Sequence, residues 1–141
     1  MPPAPFDNPL VAAKFEALPG SLRQPLLHLR QTIFDVAAGL PQLGGLIETL
    51  KWNEPAYHAV KARMGTTISI NAHRGSLRCY ALYFPCPTQL AAMIQQHYPE
   101  TFSIEGSRAL LFDVGATIPA EPLRHCIAMA LTYHVHAKRG V

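Results

Sequence analysis

A chain of 141 residues with 49% hydrophobic and 15% charged side chains is long enough for one domain with a sizeable core, and its composition excludes the disordered, collagen-like and low-complexity classes. Its net charge of +3 is spread thinly, without a dense basic block, which argues against a nucleic-acid partner. No apolar run approaches the ~20 residues of a membrane span and the N-terminus lacks a secretory pattern, so a cytoplasmic protein without membrane contact is expected.

Residues 1–8 read as a flexible, proline-rich leader to a single domain spanning 1–141. Asp7 or Asn8 can cap a short helix with Pro9 in its first turn, and Pro19-Gly20 ends it. Ser21 then starts a second helix in which Leu26, Leu29, Ile33, Phe34 and Ala37 recur at spacings of three and four, one apolar stripe. Gly39 closes that helix and Pro41 prevents its continuation.

From Leu46 the period changes to two. Leu46, Leu50 and Trp52 point one way from an extended segment, and Thr49, Lys51 and Asn53 point the other. Glu54 precedes a proline and Pro55 has no amide to give, so a turn is expected there, with a second strand over 56–60. Residues 61–65 read as a hairpin loop in which Gly65 supplies a positive φ. Residues 66–71 alternate cleanly, with Ile68 and Ile70 toward the core, and 77–84 is a central strand with apolar residues on both faces.

Residues 85–88 stop the sheet and cap a helix carrying Leu90, Met93, Ile94 and Tyr98, which Pro99 ends. Two strands then flank Gly106-Ser107, a second hairpin signal, and Pro119 and Pro122 open a last helix with a stripe of Leu123, Ile127, Ala130, Leu131 and His134. This order predicts an α+β two-layer sandwich, helices packed on one antiparallel sheet of about five to six strands.

The string Glu48-Thr49-Leu50-Lys51-Trp52-Asn53-Glu54-Pro55-Ala56-Tyr57 resembles the signature of the YdhG-like family of small bacterial domains of unknown function. The resemblance continues through Gly65-Thr66-Thr67-Ile68, Tyr80-Ala81-Leu82-Tyr83-Phe84, Glu105-Gly106-Ser107-Arg108-Ala109 and Leu123-Arg124-His125-Cys126-Ile127, and Asn53 stands where glycine is common. It implies a frataxin-like fold, with an iron-handling role proposed for part of the family, and it carries over no residue roles.

For chemistry, the segment around Trp52 offers most. An aromatic floor of Trp52, Tyr57 and Tyr80, with Lys51, Glu54, Arg74 and Arg78 around it, can hold a small anionic or planar ligand, or present a surface to a protein partner. The expectation is therefore a non-enzymatic binding domain with no predicted cofactor. The alternative is an intracellular iron chaperone, which needs clustered oxygen ligands. The nine acids are scattered, with Asp35 alone in the second helix, so an acidic ridge is missing. His125 and His136 lie roughly 16 Å apart along a helix and cannot share one ion. Cys79, Cys86 and Cys126 show no Cys-x-x-Cys spacing, so reduced thiols are expected; Cys86, just before a helix start that favours a thiolate, is the reactive-thiol candidate. A short sheet with open edges also allows a homodimer.

Overall fold

The computed structural model describes residues 3–85 and 87–138. Helices α1 (Pro9–Glu16) and α2 (Gly20–Ala38) and a 3-10 turn (Pro41–Leu43) precede four strands, β1 (Leu46–Lys51), β2 (Glu54–Ala59), β3 (Ile68–Ala72) and β4 (Cys79–Tyr83). Helix α3 (Leu90–His97), strands β5 (Ser103–Glu105) and β6 (Ala109–Asp113), and helices α4 (Ala120–Leu131) and α5 (Tyr133–Lys138) follow. The strands form one antiparallel sheet in the order β1-β2-β3-β4-β6-β5. The fold is thus α+β, helices packed on an antiparallel sheet.

Strand alternation and register divide the sheet into two faces. Tyr57 pairs with Ile68, Ile70 with Leu82, and Tyr80 with Phe112, so these side chains share the face that α1, α2 and α4 cover, and all are buried. The other face carries Lys51, Glu54, Ser69, Asn71 and Tyr83, which are exposed or half-buried.

Three local departures from the sequence pattern have physical reasons. The turn falls at Trp52-Asn53, and β2 already begins at Glu54. In a two-residue hairpin Lys51 and Glu54 are the hydrogen-bonded pair, so the Leu50–Pro55 pair exchanges no hydrogen bonds and the missing proline amide faces away from β1. The β2–β3 pairing begins only at Ala56, so Pro55 interrupts neither ladder.

Gly65 does not supply a positive φ; Arg63 does, at 63°. A Cβ on Gly65 would sit 2.0 Å from the Leu131 carbonyl oxygen, so glycine is needed there for close approach. That approach also breaks the last helix in two. The Ala130 carbonyl accepts from the Thr66 amide at 2.9 Å, and the His134 amide donates to Met64 instead of to Ala130, so the helical ladder stops at Thr132 and restarts as α5.

Beneath α2 lies a buried ionic cluster. Arg30, 3% exposed, donates from Nε to Glu48 Oε2 at 2.6 Å and from Nη2 to Glu48 Oε1 at 3.0 Å. The Tyr57 hydroxyl donates to Glu48 Oε2 at 2.7 Å, and the Ala4 and Pro5 carbonyls accept from Arg30 at 2.7 and 2.9 Å. Phe6 and Phe34 lie against the guanidinium, 3.8 and 4.7 Å from its carbon to the ring centres. Every oxygen and nitrogen of the pair thus has the partners that a buried charge requires. Burial, reinforced by the Glu48 charge, pushes the Tyr57 phenol far above its ordinary range and keeps it a donor.

Candidate functional site

The site begins with the β1–β2 hairpin. Both central residues take positive φ, 52° at Trp52 and 62° at Asn53, as the twist-matched turn between two antiparallel strands requires. Asparagine tolerates that conformation, whereas tryptophan does not adopt it readily. Trp52 is also 89% exposed, so the large apolar side chain held in this backbone gains no burial from it. An outlier of this kind costs on the order of 1–3 kcal/mol and concentrates at functional positions.

Beside the indole, on the sheet face that carries the polar residues, is a cleft of about 480 Å³. Its walls come from the hairpin (Lys51, Trp52, Glu54), from Thr67 and Ser69, from the end of β4 (Tyr83, Phe84, Pro85) and from Arg108 at the β5–β6 turn. Lys51 and Arg108 are exposed and make no ion pair among the described residues. Glu54 is held by two donors, Ser69 Oγ at 3.3 Å and Asn71 Nδ2 at 3.2 Å. The cleft therefore presents two free cations, one anchored carboxylate and an aromatic lip.

Tyr83 is set by a relay behind it. Its oxygen lies 2.8 Å from His73 Nδ1, and His73 Nε2 lies 2.6 Å from Glu105 Oε2, a carboxylate that also pairs with Arg74. Glu105 can only accept, so Nε2 carries the proton toward it, and in the neutral imidazole Nδ1 accepts from the Tyr83 hydroxyl. Burial, with Glu54, Cys79 and Glu105 adding to it and Arg108 opposing, pushes the Tyr83 phenol up to about 12. The hydroxyl stays protonated at neutral pH and is held beside His73.

Of the residues singled out in the sequence, Lys51, Trp52 and Glu54 come together here, with Trp52 at the lip and not on the floor. Tyr57 and Tyr80 lie on the opposite, helix-covered face, at 0% and 4% exposure, because strand alternation turns them away from Lys51 and Glu54. Arg74 reaches Glu105, and Arg78 reaches Asp113 across the β4–β6 pair at 3.4 Å; neither lines the cleft. Cys86 lies outside the described residues. Cys126 is buried, which alone pushes its thiol up to about 12. Sequence reasoning missed Tyr83, Arg108, His73 and Glu105. The Gly106-Ser107 signal places Arg108 only at a turn; the pairing of β6 with β4, which local spacing does not show, brings it beside the end of β4.

Among the described residues, no group of three or more His, Cys, Asp or Glu side chains converges to hold a metal ion, and no helix is long and apolar enough to cross a membrane. Fold and site together define a helix-on-sheet domain with a cationic, tryptophan-lipped cleft on the uncovered sheet face. The chain matches no family model, no curated protein and no solved structure.

Proposed function

We propose that the protein is a binding domain whose open-face cleft takes a small planar anion. Its ring stacks against Trp52, its anionic group meets Lys51 and Arg108, and a donor on the ligand meets Glu54. The observation that carries this reading is Trp52 itself, an 89% exposed indole held at a φ of 52° on the rim of a cleft with two unpaired cations. Indole faces and flexible cations together favour flat anions. The reading also fits the resemblance of residues 48–57 to the YdhG-like signature, because the central Lys-Trp-x-x-Pro of that signature forms this hairpin.

A suitable probe is 4-nitrophenyl phosphate, a flat dianion that quenches indole emission. Trp52 is the single tryptophan, so its fluorescence reports on the cleft alone. Saturable quenching that weakens with added salt is expected, with Lys51→Ala and Arg108→Ala each lowering affinity roughly fivefold. Non-saturating quenching, equal to that of free tryptophan, would refute the reading.

A further inference from the structure

Tyr80 combines two features that conflict in an ordinary core residue. The residue is 4% exposed and its ring packs on Phe112 with centres 5.3 Å apart, yet no side-chain hydrogen bond among the described residues uses its hydroxyl. No sealed side-chain oxygen or nitrogen among them lacks a partner, so this hydroxyl must reach open space. The space is a second cleft of about 470 Å³, between α2, α4 and the loop joining β6 to α4, with Tyr80 in its wall. Its volume suits a single-ring molecule, since small-ligand sites span roughly 300–1,000 Å³.

The rest of the lining sorts into apolar walls and a polar mouth. Pro25, Val114, Ala116, Ile118 and Leu123 form the walls. Of the polar lining, Gln31 donates to Asp35 at 2.8 Å and accepts from the Ala4 amide at 2.7 Å, and the buried Thr32 donates to the His28 carbonyl at 3.0 Å. The exposed His28 ring and the exposed Arg124 guanidinium stay free of ion pairs among the described residues. Burial, with Asp113 adding to it, raises the Tyr80 phenol above its ordinary value, so it is a donor at neutral pH.

A sheltered donor, apolar walls and an exposed cation, with the Asp35 carboxylate of the same lining already taken up by Gln31, suit one kind of molecule. We propose that this cleft is a second binding site, for a single-ring aromatic carboxylate with an oxygen acceptor on the ring opposite the carboxylate. The ring oxygen accepts from Tyr80, the ring lies between Ile118 and Leu123, and the carboxylate meets Arg124 beside His28. The site is independent of the Trp52 cleft, because Tyr80 and Tyr83 stand on opposite faces of β4.

The test is a titration of the isotope-labelled protein with 4-hydroxybenzoate and with benzoate, followed by amide chemical shifts in wild type, Tyr80→Phe and Arg124→Gln. Tyr80→Phe keeps the ring on Phe112, and its own spectrum verifies the fold. The expected result is saturable shifts at Ala116, Ile118 and Leu123, with 4-hydroxybenzoate bound about fivefold more tightly than benzoate. Tyr80→Phe erases that preference, and Arg124→Gln weakens both acids alike. The proposal is overturned by an absence of saturable shifts at the solubility limit, by shifts confined to residues 51–54 and 108, or by an unchanged preference in Tyr80→Phe.

Discussion

At the scale of single residues, Trp52 is the most informative position. Its backbone is unfavourable for tryptophan and the residue is 89% exposed, so the turn would be more stable with a residue that accepts positive φ. Trp52→Asn is expected to raise unfolding free energy by about 1 kcal/mol, a gain of roughly 3–5 °C in Tm, and to abolish quencher-independent measures of cleft binding such as calorimetric heats. A lower Tm would instead assign the indole a packing role. Lys51, Trp52 and Glu54 were legible in the sequence because a strand end and a proline crowd chemistry-bearing side chains into four positions. Tyr83 was not legible: in Tyr80-Ala81-Leu82-Tyr83-Phe84 both faces are apolar or aromatic, so alternation leaves no contrast. Only the register, Ala72 against Tyr80 and Ser69 against Tyr83, shows which tyrosine meets the helices.

At the scale of elements, the two ends of the Glu48 to Tyr57 string hold the hairpin to α2 while its middle faces solvent. Glu48 and Tyr57 pair across β1 and β2 and share the Arg30 cluster, which fixes the hairpin against the helix layer. Arg30→Met leaves the Glu48 charge buried without its partner, and a loss of about 3 kcal/mol in urea unfolding is expected, whereas Tyr57→Phe costs about 1 kcal/mol. The double variant Arg30→Met/Glu48→Leu should recover most of the loss, because no buried charge is then unpaired. Equal stability of the single and double variants would show that the guanidinium acts by packing alone. Periodicity located these elements well. It missed the break between α4 and α5 because that break is made by the 64–66 loop, a partner far away in sequence that takes over the Ala130 and His134 backbone groups.

At the scale of the whole molecule, the sheet has two unlike faces, one under the helices and one carrying the Trp52 cleft. Helical stripes and strand alternation predicted the α+β layering directly, since each depends on local spacing. The cleft depends on which strands become neighbours, and the β4–β6 pairing that brings Arg108 beside Tyr83 skips over α3 and β5. Burial also sets a pH response for the fold. Tyr83 and Cys126 are each raised to about 12 in the folded chain, above their ordinary values of 10.0 and 9.0, and Tyr57 shifts the same way. The folded state holds these protons more tightly than the unfolded one, so their contribution is complete below about pH 9 and declines as pH rises toward 12. Urea midpoints measured between those limits should fall steadily, with a shallower fall in Tyr83→Phe. A flat profile would mean that these groups are not sequestered.

The central claim is that ligand recognition occurs on the uncovered face of the sheet, under Trp52. Amide and indole chemical-shift mapping with 4-nitrophenyl phosphate tests it most directly. The account predicts saturable shifts at the Trp52 indole and at residues 51–54, 67–69, 83–84 and 108, lost together in the double variant Lys51→Ala/Arg108→Ala. Saturable shifts confined to α2, α4 and the helix-covered face, with the Trp52 indole unmoved, would contradict it.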